Sequence, residues 1–298
     1  MKNADTFSGF HPAVNFIFFA LVLVFSMCFM HPVCLLISLV SSALYAIRLN
    51  GEKAVRLSLR WFLPMLLLAA ILNPAFNHQG VTILAYLPSG NPLTLESILY
   101  GLAAAVMLVS VMEWFVCYTA VMTSDKFVYL FGRIIPALSL VLSMALRFVP
   151  KFAAQYRIVR QSQRCIGRDT SNGSIFHRLR CGVTIFSVMV TWALENAIET
   201  ADSMRSRGYG LPGRSAFSIY RFDSRDRAAL LWMLCCGGFI IAGWVAGGFA
   251  FNYYPMLSAA PVTPLTVMFP LAYLALCLTP VILDRKEERV WKRLSSEA

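Results

Sequence analysis

Two long runs of the chain contain no charged side chain. Residues 6–47 and 228–283 include no Asp, Glu, Lys or Arg. A helix needs about 20 apolar residues to cross a bilayer, so each run has room for two crossings. The 298-residue chain is 58% hydrophobic and only 14% charged, whereas soluble domains carry roughly 25% charged residues. The sequence therefore predicts an all-α integral membrane protein and excludes intrinsic disorder.

Prolines, turn signals and charged stretches divide the apolar runs into about six predicted membrane spans. His31-Pro32 separates the first two spans, and Asn73-Pro74 ends the third. Between the third and fourth spans, the segments VTILAY and PSGNP favour a hairpin, and Thr94 is the expected N-cap of the fourth span. The predicted spans are residues 13–30, 32–48, 61–72, 95–122, 228–251 and 263–283.

Basic residues lie at only one set of span ends. All 26 Lys and Arg fall in the N-terminus, the loop at 48–60, the region 126–227 or the C-terminal tail. Positive charge marks the cytoplasmic side of a membrane protein. We therefore expect both termini and the region 126–227 to be cytoplasmic. The same distribution explains the formal net charge of +11 without a nucleic-acid partner.

The sequence predicts three segments. Residues 1–125 form an N-terminal membrane domain with four spans, and residues 228–298 form two further spans and a basic tail. Residues 126–227 form a cytoplasmic or interfacial segment with a pair of long helices. Its apolar stretches, 134–146 and 181–194, are short for a crossing and continue into charged helical patterns. Whether these stretches span, re-enter or lie along the membrane stays open.

Two regular surfaces are predicted on the long helices of this middle segment. Residues three or four positions apart share a helix face. On the first helix the face is basic: Arg157, Arg160, Arg164 and Arg168. On the second helix it is a smooth stripe that another helix can approach closely: Ala193, Ala197 and Ala201.

Within the predicted spans, Glu113 is the one acidic residue that lies well inside the membrane. For its carboxylate we favour structural pairing over a role as a proton relay.

Both predicted helices end in a similar way. Ser162–Gly167 can be laid over Ser203–Gly208 at an offset of 41 residues, with the same Ser, Arg and Gly. Each Gly falls where a glycine ends a helix, and basic residues lie over the last turn. From the spacing alone, a local helix cap is favoured over a docking motif.

The sequence offers no motif for chemistry of its own. A P-loop requires Lys followed by Ser or Thr, and none of the six lysines is followed by either residue. The four His do not share a helix face, there is no H-E-x-x-H motif, and the eight Cys form no C-x-x-C pair. We therefore expect no enzymatic activity, no cofactor and no bound metal, and any use of ATP requires a partner.

Three segments together resemble a known family. MALRFVP (144–150), QSQRCIG (161–167) and ALENAIETADSMRSRGYG (193–210) are similar to the transmembrane T component of energy-coupling factor (ECF) transporters, the EcfT/CbiQ family. The family motif would be Ala-Arg-Gly at both helix ends. This chain has Cys165-Ile166-Gly167 at the first end and Ser206-Arg207-Gly208 at the second. The second end keeps the Arg, whereas Ile166 replaces it at the first.

The resemblance implies a membrane scaffold that couples other subunits. It implies two ATP-binding cassette ATPases, a membrane-embedded S component that binds substrate, and a location in bacterial plasma membrane lipid. The substrate would be a vitamin or a transition-metal ion such as cobalt or nickel. The resemblance places ATPase docking at the two helix ends: Arg164, Cys165 and Gly167 in the first, and Arg205, Ser206, Arg207 and Gly208 in the second. The alternative is a stand-alone secondary transporter, which usually shows repeated halves and several midplane polar groups.

Overall fold

The computed structural model describes residues 6–86, 92–132, 135–168, 174–209, 211, 220–259, 261 and 263–297. The helices are α1 (Pro12–Cys28), α2 (Pro32–Asn50), α3 (Glu52–Leu57), α4 (Leu63–Phe76), α5 (Leu95–Val121), α6 (Ser124–Gly132), α7 (Pro136–Cys165), α8 (Ile175–Ser206), α9 (Ser224–Val245) and α10 (Pro264–Glu297). A π-helical turn, Ser58–Phe62, joins α3 to α4, and a short 3₁₀ turn, Phe7–Gly9, precedes α1. The strands are β1 (Ile83–Tyr86), β2 (Pro92–Thr94), β3 (Phe251–Asn252) and β4 (Ser258–Ala259). The predicted all-α architecture is confirmed.

The chain divides into two compact units. Residues 1–126 and 220–298 form the first, here called the bundle unit. Residues 127–219 form the second, here called the helix-pair unit. In the bundle unit, α5 packs against α1, α2 and α4, while α10 packs against α2 and α9.

Aromatic rings from α1 form the core of the bundle unit. Phe18 and Phe19 are fully buried and meet the ring of Trp114 on α5 in edge-on contacts, with centroids 5.9 Å and 6.5 Å away. Edge-on pairs of this kind add to the free energy that burial itself provides. A polar chain crosses the same core, because Ser38 on α2 accepts from Trp114 Nε1 and bonds to Ser26, which bonds to Tyr273.

Six helices within the described residues are long and apolar enough to cross a membrane: Pro32–Asn50, Ala54–Phe76, Leu95–Val121, Ile175–Ser206, Ser224–Val245 and Pro264–Val290. The number agrees with the prediction, but the set differs at two places. Helix α1, predicted as a span, has only 17 residues, and α8 was not counted. The 181–194 stretch lies inside the 32 residues of α8, so length no longer argues against a crossing there.

The prediction that Asn73-Pro74 ends the third span is wrong. The helix continues through Pro74 to Phe76. Gly101 of α5 explains this continuation, since a side chain there would approach Ala70 O and Pro74 to about 3 Å, so α4 and α5 meet closely. Asn73 Nδ2 also donates to Ser97 O at 2.8 Å. These contacts offset the backbone hydrogen bond that a helical proline removes.

The predicted hairpin and helix cap are confirmed. Strands β1 and β2 pair antiparallel, while the PSGN part of the predicted turn lies outside the described residues. Thr94 Oγ1 accepts from Ser97 N at the start of α5.

Inside the bundle, Glu113 is 4% exposed and accepts from Ser42 and Ser58 at 2.7 Å and 3.2 Å. The structure thus places Glu113 in structural pairing, with hydroxyl groups from α2 and the π-helical turn.

Candidate functional site

A polar contact surrounded by aromatic rings joins the two helices of the helix-pair unit. Lys151 Nζ of α7 donates to Asn196 Oδ1 of α8 at 2.6 Å. The same ammonium lies 5.6 Å from the ring centroid of Trp192, which also meets Phe152 edge-on at 5.5 Å. The sequence pattern did not predict this contact. Its only signal was a single lysine after an apolar stretch, and nothing in the pattern showed that α8 supplies the acceptor.

The two helices run in opposite directions through this crossing. Lys151 pairs with Asn196, whereas Phe152, one residue later, pairs with Trp192, four residues earlier. From the crossing, α7 continues for roughly 21 Å to Cys165 and α8 for roughly 15 Å to Ser206, at 1.5 Å per residue. The two C-terminal ends therefore lie on opposite sides of the crossing.

The end of α7 is a Schellman cap. Gly167 has a φ of 82°, which glycine adopts without a steric cost. Its N–H donates to Arg164 O at 3.0 Å, and Arg168 N donates to Gln163 O at 2.9 Å. These two bonds satisfy carbonyls that the helix would leave unpaired. The prediction that Gly167 ends the helix is confirmed.

The end of α8 repeats this cap bond for bond. Gly208 has a φ of 74°, its N–H donates to Arg205 O at 3.0 Å, and Tyr209 N donates to Met204 O at 3.1 Å. The two helix ends that the sequence aligns at an offset of 41 residues therefore share the same backbone geometry. Arg207 occupies the C-cap position that Ile166 occupies at the end of α7.

The end of α9 shows that this cap is not specific to the predicted site. Gly247 has a φ of 75° and closes α9 with the same pair of bonds, to Trp244 O and Gly243 O. No basic residue lies in the last turn of α9. The backbone geometry is therefore a local helix terminus, as the spacing favoured, and only the side chains around it distinguish the α7 and α8 ends.

The α8 end exposes three consecutive side chains. Arg205, Ser206 and Arg207 are exposed at the α8 end. Within the described part of the chain, no hydrogen bond or ion pair engages the Arg207 guanidinium. A guanidinium held on a capped helix end presents a planar fork of donors to whatever approaches it.

The α7 end differs in charge and in apolar surface. Arg164 and Cys165 are exposed, and Ile166 presents an apolar side chain that is 69% exposed. Of the four arginines predicted to share one face, three are exposed on the helix: Arg157, Arg160 and Arg164. The placement of Arg168 on that face is wrong, because the helix ends at Cys165 and Arg168 follows the capping glycine.

The predicted alanine stripe divides into a half-buried part and an open part. Ala193 lines an apolar groove of about 630 Å³ between α7 and α8, together with Phe152 and Ile185. Ala197 and Ala201 are exposed. The described residues contain no group of three or more His, Cys, Asp or Glu side chains that could hold a metal ion.

Comparison with known families assigns the chain. A profile of the CbiQ family, described as "Cobalt transport protein", matches residues 8–219, which is more than two thirds of the chain. The chain belongs to the CbiQ family. The match runs from the start of the bundle unit through the capped end of α8, so both candidate helix ends lie inside it. Together with the six apolar helices, CbiQ membership identifies a multi-pass membrane protein.

Several curated proteins are similar over part of the chain. The energy-coupling factor transporter transmembrane protein EcfT 1 of Listeria monocytogenes is 33% identical over 106 residues, and EcfT of Lacticaseibacillus paracasei is 34% identical over 105 residues. EcfT of Exiguobacterium sibiricum is 30% identical over 113 residues. These matches cover 35–38% of this chain and 40–42% of the relatives. The chain thus aligns with about two fifths of the length of the curated relatives it matches.

Proposed function

We propose that this protein is the transmembrane coupling subunit of an ECF-type importer. In this proposal the capped ends of α7 and α8 bind two ATPase subunits, and the chain holds a substrate-binding S component in the bilayer. The observation that carries the proposal is Arg207, exposed on the capped end of α8 within a family-matched segment. A capped helix end with an exposed guanidinium is suited to binding a groove on a partner.

The separation of the two ends supports docking to two subunits. The two ends lie on opposite sides of the Lys151–Asn196 crossing. A single partner that bound both ends would therefore have to extend from one side of the crossing to the other. Two ATPase subunits can each take one end. When the subunits close on ATP, each would move the helix end that it holds.

The crossing itself supports transmission of that movement. The hydrogen bond from Lys151 to Asn196 and the ring contact between Phe152 and Trp192 tie the two helices together beyond their apolar packing. A charge-assisted bond of this length is roughly twice as strong as a neutral one. The helix pair is therefore suited to act as one stiff lever.

The exposed small-residue surface of α8 supports a membrane partner. Ala197 and Ala201 are exposed small residues one helical turn apart, and helices in membranes approach closely at small residues. We assign this face to the S component. The relatives are named as energy-coupling factor transporter proteins, and the family description names cobalt. The proposed substrate is a vitamin or a transition-metal ion, selected by the S component.

Copurification tests the proposal. The tagged chain, produced in its native host and extracted in mild detergent, should retain two ATPase subunits and one small membrane protein. ATP hydrolysis should follow the ATPase subunits and be absent from the isolated chain. If the isolated chain hydrolyses ATP, or if it never retains an ATPase, the proposed function is wrong.

Orientation is tested separately. We propose that both termini and the helix-pair unit face the cytoplasm, because Lys and Arg gather at that set of ends. In a cysteine-free background, Gly90→Cys should react with an impermeant maleimide in intact cells. Thr170→Cys should react only after permeabilisation. Labelling of Thr170→Cys in intact cells would contradict this orientation.

A further inference from the structure

Three charged side chains are buried at one end of the bundle unit. Lys126, Asp226 and Asp284 are only 4–7% exposed. A charge is buried at a large cost in free energy unless it is well hydrogen-bonded, so each should have a defined set of partners. All three contact the short segment that precedes α1, here called the N-terminal segment (Phe7–His11).

Lys126 holds one part of the N-terminal segment. Its Nζ donates to Ser8 O at 2.5 Å and to Val121 O, at the end of α5, at 2.9 Å. With the Asn15 amide oriented to satisfy both of its ends, Asn15 Oδ1 lies 3.3 Å from the same Nζ, and Asn15 Nδ2 donates to Phe7 O. The ammonium therefore joins the end of α5 to the N-terminal segment.

The two aspartates hold the backbone of the same segment. Asp284 Oδ1 on α10 accepts from Phe7 N at 3.3 Å, and Asp226 Oδ1 on α9 accepts from His11 N at 3.1 Å. The other oxygen of Asp226 accepts from Asp223 N and completes the capping box of α9. The ring of Phe10 is covered by the guanidinium of Arg225 at 4.4 Å. The N-terminal segment is thus bound by Lys126 at the start of α6 and by aspartates on α9 and α10.

The positions of these residues along the chain are informative. Lys126 is the last residue before the helix-pair unit, which covers 127–219, and Asp226 follows soon after that unit ends. The first connection begins at Lys126, and the second leads into the first turn of α9, which carries Asp226. Both residues are bonded to the N-terminal segment. If these connections were loose, a displacement of the helix pair would be absorbed there and would not reach α5 or α9.

We propose that the N-terminal segment is a clamp that fixes both connections of the helix-pair unit, with Lys126 and Asp226 as its positioning residues. The clamp makes movement of the helix-pair unit act on α5 and α9 together. This role rests on the proposed function, since it concerns how ATPase-driven movement enters the membrane bundle.

Hydrogen exchange of the full complex tests the clamp. The variants are Lys126→Met, which keeps the stem and removes the ammonium, and Asp226→Ala. Either variant should speed amide exchange of the N-terminal segment roughly tenfold or more, because buried groups lose their partners. In the wild-type complex, trapping with ATP and vanadate should change exchange at the ends of α5 and α9. In both variants this nucleotide-dependent change should be lost while the ATPase subunits remain bound.

Asp223→Ala is the matched control. It removes the other half of the α9 capping box but leaves the bond from Asp226 to His11, so it should keep the nucleotide-dependent change. The clamp proposal is overturned if Asp226→Ala and Asp223→Ala behave alike, or if both clamp variants transmit the change as the wild type does. If Lys126→Met fails to reach the membrane, the comparison of Asp226→Ala with Asp223→Ala decides whether the clamp transmits the nucleotide-dependent change. A wild-type chain that retains no ATPase subunit would instead refute the proposed function. In that case, amide exchange of the N-terminal segment in the two clamp variants would still be measured in the chain alone.

Discussion

The ends of α7 and α8 share one backbone geometry and differ in the side chain at the C-cap position. Gly167 and Gly208 close matching caps, but Ile166 stands at one C-cap and Arg207 at the other. The end of α9 has the same cap with no basic residue in its last turn. The cap itself therefore only terminates a helix. A preference for a partner must come from the exposed side chains that the cap holds in place.

The largest effect is expected from reversing the charge of the α8 end. Arg207→Glu should reduce retention of ATPase subunits roughly 100-fold or more, because it removes a bidentate donor and adds repulsion in a desolvated contact. Arg207→Lys, which keeps the charge and loses the planar fork, should be intermediate. The measurement is the amount of ATPase bound per tagged chain in purified membranes.

Arg289→Glu is the control for this charge reversal. Arg289 is also exposed, but it lies in the basic tail of α10 in the bundle unit. It should retain ATPase at the wild-type level. Equal retention by Arg207→Glu and wild type would mean that Arg207 serves only its own helix end, where a cation contributes about 0.3–1 kcal/mol.

A smaller effect is expected from straining the caps. An alanine in the left-handed region costs roughly 1–2 kcal/mol, and Gly208 and Gly247 have almost the same φ, 74° and 75°. Gly208→Ala should lower ATPase retention several-fold because it displaces Arg207, whereas Gly247→Ala should leave it unchanged. Equal losses in the two variants would show that general destabilisation, rather than the α8 end, is being measured.

The smallest effect is a gain at the α7 end. Ile166→Arg gives both ends an arginine at the C-cap and should strengthen ATPase retention a few-fold, in line with one added ion pair at an exposed site. The α7 backbone needs no change to accept it, because the α8 end already holds an arginine in this geometry. Weaker retention would mean that the α7 end binds through the apolar surface of Ile166.

Sequence patterns predicted the parts of the fold that depend on local rules. Thr94 and the capping glycines were correct because caps are set by a few neighbouring residues. The hairpin after α4 was correct for the same reason. Each predicted span overlaps an apolar helix, because membrane crossing demands a long uncharged helix, although α8 was not counted among them.

The errors come from contacts between distant residues. Pro74 was taken as a helix end, but the close approach of α4 to Gly101 keeps the helix continuous. The Lys151–Asn196 bond and the buried Lys126 could not be read from periodicity, since their partners lie 45 and 118 residues away. At the candidate site, the sequence located both helix ends but could not show that they lie on opposite sides of a crossing.

Site-specific photocrosslinking tests the central claim most directly. A photoreactive phenylalanine analogue would replace Ile166, Tyr209 or Val245, one exposed residue at each capped end, in the native membrane. The account predicts crosslinks from the α7 and α8 positions to ATPase subunits and none from Val245, at the end of α9. Absence of ATPase crosslinks from both Ile166 and Tyr209, or equal crosslinking from Val245, would contradict docking at the α7 and α8 ends.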